Sequence, residues 1–177
     1  MSFKTTTKPV AQTTQKGKDM ITVHGKQEIE DVKLSEHFSL FEFCKTSHKE
    51  YQTKNLQYGK SIQGRLETQA DFLEKVRDLL DCPILITSGV RCPELNKAVG
   101  GAQTSQHLSG HATDIIPQGK KTIQDYFCII FNSHLIYDQL ILEESGGKIW
   151  IHISYIGMNG RRQALYYNGK KYVPYDG

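Results

Sequence analysis

Two stretches of the chain carry residues suited to holding a metal ion. SQHLSGHATD at 105–114 sets His107 and Asp114 on either side of a turn containing Gly110. KIWIHISY at 148–155 reads as a strand in which Ile149, Ile151 and Ile153 alternate with Trp150, His152 and Ser154. Two imidazoles and one carboxylate, each on a scaffold element, make the three-ligand set of a catalytic zinc, whose fourth position stays open to water. Zinc in such a site lowers the pKa of a water from about 15.7 to about 7, so hydroxide becomes available at neutral pH. His111 competes for the role because it stands four residues from His107, like the pair on a zincin helix. The intervening Leu-Ser-Gly argues against a helix there and no Glu follows His107 directly, so His111 reads as a site-lining or surface residue. His24, His37, His48 and His134 show no partner in the sequence and read as ordinary surface or core histidines.

The elements that must position these groups follow from periodicity and caps. Ser39 and Glu42 in LSEHFSLFEF form a capping box at the start of a short helix, with Phe38, Leu40, Phe41 and Phe43 as its apolar bulk. In RLETQADFLEKVRDLL, Leu66, Ala70, Leu73, Val76 and Leu80 recur at helical spacing, and Asp81 with Pro83 ends the run. ILIT at 84–87 reads as a buried strand and SGVR as the turn leaving it. Pro93 then opens a short helix through Ala98, closed by Gly100 and Gly101. ATDII at 112–116 is a strand, and Ile123, Phe127, Ile130 and Phe131 share one face of a following helix. DQLILE and KIWIHISY form a hairpin about Ser145-Gly146-Gly147-Lys148, and QALYY with KYVPY forms a second about Asn168-Gly169. Strands and helices do not alternate as a repeating unit. The expected fold is therefore α+β, a mainly antiparallel sheet with helices packed on it and the metal site in a cleft on the sheet.

Composition excludes several other classes. At 177 residues, 38% hydrophobic and 23% charged, the chain suits one ordinary domain, expected over 34–177. Residues 1–33, rich in Thr, Lys and Gln, are expected to form an extended polar arm, either solvated or docked on a partner such as another subunit of a larger particle. The net charge of +3 comes from 22 scattered Lys and Arg, with no basic stripe to follow phosphates, so nucleic acid is not an expected partner. No apolar run could span a bilayer, and MSFKTTTKPVAQ lacks the apolar stretch of a secretory signal. No membrane is expected, and the protein is expected to reside first in a cytoplasm. Cys44, Cys82, Cys92 and Cys128 show no metal or disulfide spacing. Cys82 and Cys92 flank a strand at roughly 3.3 Å per residue, too long to bridge, so four free thiols are expected.

The motif Ser105-x-His107-x-x-Gly110-x-Ala112-x-Asp114, followed by His152 on a strand, resembles that of the zinc D-alanyl-D-alanine carboxypeptidases and the related phage endolysins that cut the L-alanyl-D-glutamate bond of peptidoglycan, on the hedgehog-type zinc peptidase fold. The resemblance extends through LSEHFSLFEF, SGVRCPELNKAVGGAQTSQH, DQLILE and WIHIS, about residues 34–163. It implies zinc on His107, Asp114 and His152, and a metallopeptidase acting on peptidoglycan stem peptides. It also implies a phage setting, with the protein lysing the host or carried in the virion. Arg91, at the end of SGVR, matches the arginine that in related enzymes binds substrate and stabilises the oxyanion.

In the best-known members the catalytic carboxylate stands three residues before the last histidine, where this chain has Ile149. The hairpin offers a replacement. A two-residue Gly146-Gly147 turn pairs Glu143 with Trp150 and Ile141 with His152, which puts Glu143 on the face of His152. A four-residue turn keeps that parity and a three-residue turn turns Glu144 inward instead. Ser105 and Gln139 are candidates to orient ligands or substrate, and Trp150 to wall the site. The alternative is a non-catalytic zinc-binding module of a phage particle, structural or wall-binding, much as the hedgehog signalling domain resembles these peptidases while keeping zinc without turnover.

Overall fold

A computed structural model describes residues 20–23 and 27–177 of the chain. Strands β1 (Met20–Val23) and β2 (Gln27–Glu30) pair antiparallel as a small separate hairpin within the segment expected to be an arm; the rest of that segment up to residue 26 lies outside the described residues. The chain is tied to the main body from Asp31, whose carboxylate accepts the Phe41 N–H at 2.9 Å.

Helix α1 (Leu40–Cys44) starts with the expected capping box of Ser39 and Glu42. A 3-10 turn (Lys49–Tyr51) leads into α2 (Gln52–Ser61), and α3 (Gln63–Leu80) follows at once. Asp81, in the left-handed conformation at φ 49°, ends α3 where the sequence places the stop. Then come β3 (Ile84–Ser88), α4 (Pro93–Ala98), β4 (Ala112–Pro117) and α5 (Ile123–Phe131). Strands β5 (Gln139–Ser145), β6 (Lys148–Ser154), β7 (Gln163–Tyr167) and β8 (Tyr172–Pro174) complete the chain.

Six strands form one sheet in the order β3-β4-β6-β5-β7-β8. Every neighbouring pair is antiparallel except β5 with β7, so the fold is α+β with a mixed, mostly antiparallel sheet. The alternation of each strand divides the sheet into two faces. Ile86, Ile115, Ile151, Ile153, Leu140 and Leu142 join the core with Leu66, Ala70, Leu73 and Val76 of α3 and Phe127 and Ile130 of α5. The other face carries Asp114, His152 and Ile141 in one cross-strand row. All four cysteines are free, and burial pushes the Cys44 thiol up to about 12, which leaves it inert.

One buried polar residue ties α1, α2 and the β3–α4 loop together. Asn55 of α2 is fully buried; its amide donates to the Cys44 carbonyl at 2.8 Å and the Val90 carbonyl at 2.9 Å, and its oxygen accepts the Cys92 N–H at 2.7 Å. Those bonds hold the loop carrying Arg91 against the helices. Removing this side chain strands the Val90 carbonyl and the Cys92 N–H, while the Cys44 carbonyl keeps a bond from the Gln52 amide at 3.2 Å. Asn55→Ala is expected to lower stability by about 2–4 kcal/mol in urea unfolding; a loss below about 0.5 kcal/mol would show that the loop is held by other contacts.

Candidate metal centre and active site

The β5–β6 hairpin turns through Gly146 and Gly147 at φ 57° and 72°, the conformation of a two-residue turn matched to the twist of its strands. Its register pairs Ser145 with Lys148, Glu143 with Trp150 and Ile141 with His152. On the other side of β6, Asp114 pairs with His152. Asp114, His152 and Ile141 therefore share a row, and Glu143 stands one row along on the same face. Glu144 points the other way, exposed, and accepts a hydrogen bond from the Tyr166 hydroxyl at 3.0 Å.

His107 comes from the turn between α4 and β4 and is locked by two bonds to the loop after β3. Its Nδ1 donates to the Gly89 carbonyl at 2.6 Å, and its own carbonyl accepts the Arg91 N–H at 3.1 Å. A carbonyl only accepts, so the Nδ1 proton is assigned and Nε2 is left with a bare lone pair. That lone pair faces the site. His107 Nε2 lies 3.3 Å from His152 Nδ1 and 3.3 Å from Asp114 Oδ1, and His152 Nδ1 lies 2.9 Å from the same oxygen. Ligands bound at about 2.0–2.1 Å in a tetrahedron stand about 3.3–3.4 Å apart. Two of the three spacings are those of a zinc coordination sphere and the third is shorter, at hydrogen-bond distance; the three side chains are all buried and together could hold one metal ion.

Protonation favours the same use. Burial pushes the His107 pKa down, helped by the charge of Arg91 and opposed by that of Asp114, so the imidazole is neutral. Burial alone would raise the Asp114 carboxyl, but His107 and His152 outweigh it and hold the group well below the usual carboxylate range. Neutral imidazole and ionised carboxylate are the forms that bind metal. The second oxygen of Asp114 accepts from Arg91 Nη2 at 3.1 Å, and Arg91 Nε donates to the Ser88 hydroxyl at 3.1 Å. Arg91 is thereby oriented at the rim of the site with donors to spare.

These groups line a cavity of about 390 Å³ that also takes in Glu143, Ser105 and Gln139. Burial, then the negative charge of Asp114, raises the pKa of Glu143 above its usual value, while His152 and Arg91 oppose the rise. Trp150, the cross-strand partner of Glu143, is not in the cavity wall; its buried indole N–H has no well-formed hydrogen bond but opposes the rise of the Glu143 pKa as well. Gln139 donates to the Gln163 side chain at 2.7 Å across β5 and β7. Next to His107, Gln106 donates to Asp138 at 2.8 Å, and Asp138 is held down to about 2 chiefly by its hydrogen bond from Arg161. His111 is turned away from the cavity, with its ring against the Ser109 hydroxyl at 3.0 Å. His37 has a partner the sequence did not reveal, Glu74 at 2.8 Å; His24 lies outside the described residues. Sequence reasoning also missed Leu165 and Tyr172 in the cavity wall, and Gly89 and Asn55 behind it.

A buried set of two histidines and one carboxylate, opening on a polar cavity with a free carboxylate and a guanidinium beside it, has the form of a catalytic zinc centre. Residues 36–154, well over half of the chain, match the Peptidase M15 family, and the chain belongs to that family of zinc metallopeptidases. No curated protein matches the chain.

Gly89 carries the contact that sets the His107 tautomer, and a β-carbon there would run into the backbone carbonyl of Phe43. The clash is with backbone, so the loop must move and take the Gly89 carbonyl with it. Gly89→Ala is expected to weaken zinc binding about 10–100-fold in chelator competition, as loss of a ligand's orienting partner does; unchanged affinity in a folded variant would show that His107 needs no such support.

Proposed function

We propose that the chain is a zinc metallopeptidase that hydrolyses stem peptides or peptide cross-links of bacterial peptidoglycan, with Glu143 as general base and acid. The observation that carries this reading is the placement of Glu143: half-buried, in the same cavity as the three ligands, and one row from His152 on the same sheet face. A module that only bound zinc would have no use for a desolvated carboxylate there.

His107, Asp114 and His152 would hold the zinc, which when bound would supply Lewis acidity and lower the pKa of a water. Glu143 takes the proton of that water as the oxygen–carbon bond forms, then gives it to the amide nitrogen as the carbon–nitrogen bond breaks. Its raised pKa suits both roles, since a base that is too acidic returns a proton readily but accepts one poorly. Arg91, tethered by Ser88 and Asp114, donates to the carbonyl oxygen where negative charge develops. Ser105 and Gln139, both in the cavity wall, are positioned to bind substrate main chain.

The substrate class and setting rest on the likeness of SGVR, the His107–Asp114 motif and WIHIS to cell-wall carboxypeptidases and phage endolysins. On this reading the protein is phage-encoded, made in the cytoplasm of the producing cell and acting on the wall as an endolysin or from the virion. The segment before residue 34 would be its attachment to phage structural proteins.

The test is release of new amino termini from purified peptidoglycan, identified by mass spectrometry. Glu143→Gln is expected to lower the rate about 10²–10⁴-fold with zinc content unchanged; wild-type rates in this variant would remove Glu143 from the chemistry. The pH profile follows from the direction of the shift. The base form is the carboxylate, and its pKa lies above the usual glutamate value, so the acidic limb of kcat/KM is expected at higher pH than an ordinary glutamate would give. A limb at the ordinary value would contradict the assignment.

A further inference from the structure

The C-terminal hairpin contributes to the cavity although it lies outside the family match, which ends at residue 154. Strand β7 pairs parallel with β5, setting Leu165 beside Ile141 and Tyr167 beside Glu143. Strand β8 then pairs Tyr172 with Tyr167. Trp150, Glu143, Tyr167 and Tyr172 therefore form one continuous row across four strands, adjacent to the row that carries Asp114 and His152. Both Leu165 and Tyr172 enter the wall of the cavity holding the metal ligands.

Tyr172 is a poor candidate for a packing residue. It is 55% exposed on a three-residue edge strand whose residues are all exposed. Its ring is nonetheless held in place by the Tyr167 ring, with centroids 4.5 Å apart and planes tilted by 31°. It lines the same cavity as Glu143, and burial, then the charge of that carboxylate, pushes the Tyr172 hydroxyl pKa up. A preoriented aromatic ring with a polar tip, open to solvent and next to the general base, costs little to order on binding and offers both area and a hydrogen bond.

We propose that Tyr172 is a substrate-binding residue, its ring covering the peptide on the Glu143 side of the cleft and its hydroxyl donating to a carbonyl or carboxylate oxygen of the substrate. The hairpin is then an added wall that takes hold of the peptide chain, while the chemistry stays with the parts inside the family match. The proposal rests on the peptidase reading given above and goes on to say which segment grips the peptide.

The experiment compares wild type, Tyr172→Phe and Tyr172→Ala on a purified peptidoglycan stem pentapeptide and on whole peptidoglycan, with zinc content and melting temperature measured for each. A second arm titrates the same pentapeptide into zinc-loaded Glu143→Gln protein with and without Tyr172→Ala. Loss of one substrate hydrogen bond predicts a KM about fivefold to tenfold higher in Tyr172→Phe, with kcat within about twofold. Loss of the ring as well predicts a larger rise in Tyr172→Ala and correspondingly weaker binding in the second arm. Zinc content and melting temperature should stay at wild-type values. If wild type turns over either substrate and both variants keep its KM, the proposal fails while the peptidase reading stands. If wild type neither binds nor cleaves any substrate, the peptidase reading fails and the proposal goes with it.

Discussion

The site depends on one hydrogen bond, from His107 Nδ1 to the Gly89 carbonyl. It decides which nitrogen of a buried imidazole is bare, and the bare nitrogen is one corner of the donor triangle around Asp114. The bond in turn needs the β3–α4 loop to lie against the turn after α4. The loop can sit close against Phe43 of α1 because residue 89 has no side chain, and it is held there by Asn55 and tied to the turn after α4 by the Arg91 N–H on the His107 carbonyl. Much of the first half of the domain thus serves to hold one carbonyl in place.

The second half supplies the sheet that carries the other two ligands. Strands β4 and β6 bring Asp114 and His152 directly opposite each other, and the register is protected because a slip of β6 by one residue would turn Ile151 and Ile153 out of the core and His152 into it. The same alternation that builds the core on one face thereby fixes the ligands on the other. Arg91 completes the charge balance. A carboxylate as buried as Asp114 needs compensation, and it has the Arg91 guanidinium on one oxygen and the His152 ring nitrogen 2.9 Å from the other.

How much of this was legible in the sequence depended on whether a residue's role shows in its type or in its neighbours. The α3 stripe, the Ser39–Glu42 cap and the Gly-Gly hairpin are local patterns, and the structure follows them. The hairpin parity even reached the site, because two-residue turns leave no freedom in register and so select Glu143 over Glu144. Helix α2 was not legible: its buried residues are Gln52, Asn55, Leu56 and Gly59, and a face built for hydrogen bonds and close approach leaves no apolar stripe. The parallel pairing of β7 with β5 was equally hidden, since the segment joining β6 to β7 carries no periodic signal, and with it went the place of Leu165 and Tyr172 in the cavity. Gly89 acts through its backbone carbonyl, a role with no side-chain signature at all.

The central claim is that His107, Asp114 and His152 bind one zinc as a catalytic set with an open position. The most direct test is zinc K-edge X-ray absorption of the protein loaded with one equivalent of metal, beside a His152→Ala variant. The account predicts a first shell of nitrogen and oxygen only, at about 2.0–2.2 Å with two imidazole scattering patterns in wild type and one in the variant. A sulfur shell at about 2.3 Å, or a wild-type spectrum unchanged by loss of His152, would place the metal elsewhere and contradict it.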